Sequence, residues 1–186
     1  LVGSEMCIRD SYRSSVFKHD WKGRYIVTSV VYRLQKSPEL HLDYGNLRAS
    51  LPGDDISIAD VRKVVIEIRR SKLPEPDEYG SAGSFFMNPV ISTEQYEKLK
   101  SSYPDMPHYV VDDMHVKVPA GWLIDRCGWK GKSFGGAAVY EKQCLVLINK
   151  NNAKPNDVVA LAEMIRKSVS DTYGTVSYTH LTLPTT

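Results

Sequence analysis

The chain has 186 residues, 42% of them apolar and 25% charged, a balance that suits one folded domain, or one and part of another, around a buried core. A formal net charge of +2 is too small to indicate nucleic acid or an acidic membrane as a partner, and no run of about 18 apolar residues is present to span a bilayer. Cys7, Cys127 and Cys144 have neither ligand spacing nor an even count, and the five histidines are scattered, so a reducing compartment is expected and a metal site is not.

In chain order, the first stretch, LVGSEMCIRDS (1–11), shares neither period nor composition with the rest of the chain. It reads as translated sequencing-adapter sequence and is set aside from the fold. RYIVTSVVYRL (24–34) is rich in β-branched and aromatic residues and predicts a strand, continued with alternation through ELHLDYG. Ser57 then caps a helix over 58–72, with Asp60 at its third position and Ile58, Val61, Val64, Val65 and Ile68 at helical spacing. KLPEPDEYGSAG (72–83), punctuated by Pro and Gly, is expected to be a connection and a domain boundary.

SFFMNPVI (84–91) predicts a strand, and Ser92 with Gln95 three residues later predicts a capping box opening a second helix that ends before Pro104. HVKV (115–118) reads as a short strand and PAGWLIDRCG (119–128) as a short helix between Pro and Gly. GAAVYEKQCLVLIN (136–149) reads as a hairpin turning at Glu141–Lys142. The strongest helical pattern is 155–174, with Val158, Leu161, Ala162, Ile165 and Val169 on one face and Gly174 as its cap. Short strands mixed with amphipathic helices imply an α+β fold. The last stretch, VSYTHLTLPTT (176–186), has no period and is read as adapter sequence like the first, so the chain is expected to be a piece of a longer protein.

The residue that invites a chemical reading is Ser84, in YGSAGSFFMNPV. A hydrolase nucleophile needs small residues on both sides of the serine, G-x-S-x-G, and here Phe86 stands at the second glycine. No histidine is placed to act as its base. On composition alone, a structural turn serine is the simpler account.

The wider pattern adds to this. YRSSVFK (12–18), LDYGNL (42–47), RRSKLPEP (69–76), GSAGSFFMNPVI (80–91), PAGWLIDRCGWKG (119–131) and FGGAAVYEKQCLVLINKNNA (134–153) occur in that order. Together they resemble the UDP-N-acetylenolpyruvoylglucosamine reductase (MurB) family of bacterial peptidoglycan synthesis, over residues 12–174. The resemblance implies that 12–75 is the tail of the second FAD-binding domain, of the PCMH/VAO type, and 76–175 an α+β substrate-binding domain. The parent would be a cytoplasmic, monomeric flavoprotein oxidoreductase that uses FAD and NADPH to convert UDP-N-acetylglucosamine enolpyruvate to UDP-N-acetylmuramate.

On the same basis Ser84 is the group that protonates a substrate carbanion, and Arg13 stabilises charge on the substrate carboxylate. Tyr44, Lys72, Asn88, Tyr109, Lys130 and Gln143 match positions around the UDP-sugar, where ammonium groups and amides suit a diphosphate and flat rings suit a sugar or uracil. Arg69 would face the flavin, although a cation also suits a helix C-terminus. The family's third catalytic group, a glutamate after the last helix, has no counterpart in GTVSYTHL. GKSFGGAA leads into a strand and is no dinucleotide fingerprint, so the chain alone is expected neither to hold FAD tightly nor to turn over. The competing reading is a UDP-sugar-binding module that never carried flavin. A further one is an interaction domain in which GSAGSFF is only a turn.

Overall fold

The structure, a computed structural model, describes residues 15–43, 46–53 and 55–175; Arg13 and Tyr44 lie outside these. The chain divides into two compact units between Leu42 and Asp43. In the first unit, a 3-10 turn at Val16–Lys18 leads into stacked rings, Phe17 edge-on to Trp21 at 5.5 Å and Trp21 against Tyr25 at 4.7 Å. The stretch 24–34, expected as a strand, takes no regular structure, and Ile26 and Val31 are 90% and 88% exposed. β-branched residues favour a strand only where a neighbouring strand and a covered face accept them, and among the described residues neither is supplied here.

The second unit is α+β: helices packed with two antiparallel sheets. Helix α1 (Ile58–Lys72) opens with the expected cap. Asp60 N–H donates to Ser57 Oγ at 3.2 Å, and Ser57 N–H donates to the Asp60 carboxylate at 3.0 Å. The Ser57 hydroxyl, which donates to the same carboxylate at 2.5 Å, and then the Ser57 N–H hold the Asp60 carboxyl below its ordinary range. Of its expected apolar face only Val64 is buried, while Ile58 is 57% exposed.

Strand β1 (Gly80–Ser84) comes next, where the sequence predicts a loop. The four-stranded sheet has the order β1-β7-β6-β5, with β5 (Ser133–Phe134), β6 (Ala137–Val139) and β7 (Val146–Asn149). The three-stranded sheet has the order β2-β4-β3, formed by β2 (Val90–Ser92), β3 (Tyr109–Val110) and β4 (His115–Lys117). The sequence predicts a single strand over 84–91, but only its ends pair, and in different sheets. Between them the chain crosses from one sheet to the other. Phe85 N–H donates to Leu145 O at 2.7 Å, Val118 N–H donates to Pro89 O at 3.0 Å, and Phe86 is driven into the core. Pro89 has no N–H to give a ladder, which suits this crossing.

Helices α2 (Thr93–Ser102), α3 (Ala120–Arg126) and α4 (Pro155–Tyr173) each contribute buried residues to one core. Alternation in the four-stranded sheet divides its residues cleanly. Ala137, Val139 and Leu147 join Leu123, Ile124, Leu161, Ile165 and Val169 in the main core, and Ile91 and Val116 enter it from the other sheet. Ala138, Tyr140, Val146 and Ile148 point the other way, into a small cluster closed by Leu73 and Tyr79. Both faces of the two central strands, β6 and β7, are covered, while the edge strands β1 and β5 are exposed.

One cap differs from its expected form. Ser92 Oγ accepts from Gln95 N–H at 3.1 Å, but the Gln95 amide does not complete a capping box. It reaches across the molecule and donates to Gly174 O at 3.2 Å, fixing the end of α4, where Gly174 adopts φ +62°. Asp157, in the first turn of α4, accepts from Lys154 N–H at 2.9 Å and from Gly136 N–H at 3.2 Å. These two bonds hold its carboxyl below the ordinary value of 3.8. A depressed carboxyl stabilises the fold fully above its ordinary range, and that stabilisation disappears as pH falls through the folded-state value. The difference in stability between the native chain and an Asp157→Ala variant is therefore expected to be largest at neutral pH and to shrink below about pH 4. Urea melts at pH 7 and pH 3 measure it; a difference that grows on acidification contradicts the assignment.

Candidate functional site

The setting of Ser84 begins with a register change. Gly80 lies opposite Asn149 and Ser81 opposite Ile148, but Ser84 lies opposite Val146. Three steps along β1 match two along β7, which is a β-bulge. The extra residue is accommodated at Gly83, whose φ of +69° favours glycine. Gly83 N–H donates to Ser81 Oγ at 3.0 Å, closing a small side-chain turn inside the bulge. Immediately beyond, Phe85 is tied to Leu145 O, and Phe86, 1% exposed, anchors the chain. Ser84 is thus held from both sides while itself remaining exposed.

The loop 140–145, between β6 and β7, links this serine to three other expected site residues. Gln143 Oε1 accepts from Leu145 N–H at 3.4 Å. The same oxygen lies against the first turn of α3, where a Cβ on Gly121 would stand 3.5 Å from it. Asn88 reaches that turn from the other side, its Oδ1 accepting from Ala120 N–H at 2.9 Å. Its oxygen is therefore engaged, and the amide NH2 is the end that can donate outward. Lys130 Nζ is 3.9 Å from an Asp125 oxygen, with more than half its side chain exposed. The buried Cys144, next to Gln143, has its thiol pushed up first by burial and then by the Asp125 carboxylate, with Lys130 acting in the opposite direction. Cys144 is in the thiol form at neutral pH and offers no nucleophile.

Ser84, Asn88, Gln143 and Lys130 therefore share one neighbourhood. The other expected residues stand apart. Tyr109 lies on β3 opposite Lys117, 62% exposed. Arg69 and Lys72 are exposed at the end of α1. Leu73, next in sequence after Lys72, packs with Tyr79 against the outer face of the four-stranded sheet. No hydrogen bond or ion pair among the described residues draws Tyr109, Arg69 or Lys72 to the 140–145 loop. Sequence reasoning singles out Ser84 and passes over Ser81. The available signal is a hydroxyl two residues before a glycine, a common side-chain turn.

The glycine-rich GKSFGGAA makes the β5–β6 turn, and its space is taken. Lys150 N–H and Asn151 N–H both donate to Gly136 O at 3.0 Å, and a Cβ on Gly136 would stand 2.5 Å from Ala153 Cα. Among the described residues no buried side-chain nitrogen or oxygen lacks a partner, and no three His, Cys, Asp or Glu side chains gather as metal ligands. The β5–β6 turn is thus filled by its own neighbouring backbone and leaves no room there for a diphosphate.

A family model described as UDP-N-acetylenolpyruvoylglucosamine reductase, C-terminal domain, matches residues 75–176. The chain belongs to this family. Relatives carrying the name UDP-N-acetylenolpyruvoylglucosamine reductase include one from Bacteroides fragilis, 50% identical over 167 residues, which cover 88% of this chain and 50% of the relative. One from Neisseria meningitidis is 48% identical over 165 residues, covering 87% and 48%. One from Pasteurella multocida is 45% identical over 172 residues, covering 92% and 50%. The chain spans about half the length of the curated relatives it matches. Within the family match lie β1 with its bulge, the 140–145 loop and α3, the elements that carry Ser84, Asn88, Gln143 and Lys130.

Proposed function

We propose that the chain is the substrate-binding part of a reductase acting on UDP-N-acetylglucosamine enolpyruvate in peptidoglycan precursor synthesis, with Ser84 as proton donor. The observation that carries this reading is the bulge: it presents Ser84 exposed, in a family named for that reduction, with the backbone fixed on either side. Once an enolpyruvyl double bond has taken up hydride at its terminal carbon, electron density remains on the carbon beside the carboxylate. That carbon is a strong base and needs one proton. The Ser84 O–H bond breaks, a C–H bond forms, and the alkoxide takes a proton from solvent. A serine is a weak acid in water, so the advantage here is placement rather than a shifted pKa.

The roles of the neighbours come from their chemistry. Lys130 and the amide NH2 of Asn88 would offer positive charge and donors to a diphosphate, and Gln143 a donor to the sugar. Tyr109, Lys72, Tyr44, Arg13 and Arg69 belong to the same proposal on the strength of their motifs alone. We assign FAD and NADPH to the parent protein and FAD binding mainly to the half of the relatives that this chain does not span, with 12–75 as a remnant of that domain and 76–175 as the substrate domain. A cytoplasmic location and a monomeric state are part of the same reading; no helix among the described residues is long and apolar enough to cross a membrane.

The reading is tested by titrating UDP-N-acetylglucosamine enolpyruvate into the purified chain and, separately, by the colour of a version extended to the relatives' full length. Heat of binding and a colourless preparation are expected from the chain itself, and a yellow one from the extended protein. Binding without any yellow colour in the extended protein supports a UDP-sugar module that carries no flavin. Absence of binding to both overturns the proposal.

A further inference from the structure

We infer that Ser81 is a positioning residue for Ser84: the Ser81 Oγ to Gly83 N–H hydrogen bond sets the bulge that aims the catalytic hydroxyl. This rests on the proton-donor reading of Ser84 given above. The bond, 3.0 Å long, spans two residues in the irregular part of β1. Ser81 is also the last residue before the register shift, and Ser84 the first after it. Gly83 stands between them at φ +69°, a backbone state that a neighbouring acceptor stabilises. From Phe85 onward the chain is fixed by Leu145 O and by the burial of Phe86. The adjustable part of the segment is therefore the three-residue step from Ser81 to Ser84, and the Ser81 hydroxyl is the side chain that closes it.

The core does not depend on this bond. Every residue of β1 is exposed, and no added Cβ at Gly83 would meet an atom within 4 Å. Loss of the Ser81 hydroxyl should loosen the aim of Ser84 without unfolding the domain. Misplacement of a reacting group by about 1 Å can cost about 10²-fold in rate.

The experiment compares Ser81→Ala, Ser81→Asn, Ser84→Ala and the Ser81→Ala/Ser84→Ala double variant in the full-length extended protein. It measures substrate reduction together with thermal melting. Amide exchange of Gly83 is measured in the chain as it stands. Ser81→Ala is expected to lower kcat by roughly 10- to 100-fold with KM and melting temperature nearly unchanged. Gly83 amide exchange should accelerate, and Ser81→Asn, which keeps an acceptor at that reach, should restore both rate and protection. The double variant should be no slower than Ser84→Ala. If Ser84→Ala is inactive but Ser81→Ala is fully active, the positioning role is wrong and the proton-donor reading stands. If Ser84→Ala retains full activity, the proton-donor reading itself fails. An equal loss in Ser81→Ala and Ser81→Asn also overturns the inference.

Discussion

Ser84→Ala, made in the protein extended to the length of its relatives, is expected to slow reduction of the enolpyruvyl substrate by about 10²- to 10⁴-fold, the usual worth of one positioned proton-transfer group. Reduction of the flavin by NADPH should keep its native rate, because no proton reaches the substrate in that half-reaction. Substrate affinity should change little: the hydroxyl is one small group at an exposed bulge, and Phe86 holds the segment with or without it. Stopped-flow measurement of the two half-reactions separates these outcomes. Equal slowing of both would point to a general disturbance of the site and would remove Ser84 from the proton-transfer step.

Gly136→Ala is expected to be the most damaging small substitution in the fold. An added Cβ would stand 2.5 Å from Ala153 Cα, Ala153 N and Asn151 O, all of them backbone atoms that cannot swing aside. The same glycine receives two N–H bonds at its carbonyl and gives one to Asp157, so relief by movement would disconnect the β5–β6 turn from the start of α4. Overpacking of this kind costs about 2–3 kcal/mol, a fall in melting temperature of roughly 5–10 °C for a chain of this size. Gly121→Ala is the matched control. Its Cβ would meet Gln143 Oε1 at 3.5 Å and Leu145 Cγ at 3.6 Å, ordinary contacts, and it lies within α3. Alanine is favoured over glycine inside a helix by up to about 1 kcal/mol, so the control should melt at or above the native temperature. If the two variants melt together, steric exclusion at Gly136 is not what stabilises the turn.

The fold is legible in the sequence where local chemistry and tertiary demand agree. α4 carries its start at Pro155, its stop at Gly174 and its buried face at helical spacing, and the structure buries Leu161, Ala162, Ile165 and Val169, with Val158 at the margin. The Ser57 cap of α1 is also read directly, from a serine and an aspartate three residues apart. β1 is not legible. GSAGS has no β-branched or aromatic residue, and as an exposed edge strand it has no alternation to read. The two-residue strands β3 and β5 are too short for any period to register. Residues 84–91 mislead for the converse reason: Phe85 and Phe86 are as good strand formers as Val90 and Ile91 of β2, but they serve a crossing between two sheets.

At the site, Ser84 is legible through its motif, and the neighbourhood of Asn88, Gln143 and Lys130 depends on contacts that sequence spacing does not reveal. Gln95 shows the limit most clearly. Its spacing from Ser92 predicts a local cap, and its amide instead satisfies a carbonyl 79 residues away. A side chain with two competing partners is assigned by the folded geometry, not by its neighbours in the chain.

The bare stretch 24–34 has a colloidal consequence. Ile26, Val27, Val30, Val31, Tyr32 and Leu34 are all more than half exposed in a run without Pro or Gly. Such a run is a template for intermolecular cross-β stacking, and the charges that oppose it are Arg24 and Arg33. Two like charges repel their copies on neighbouring molecules only within a Debye length, about 10 Å at 0.1 M salt and about 3 Å at 1 M. The isolated chain should therefore turn turbid sooner as salt is raised, and Val30→Lys should delay it.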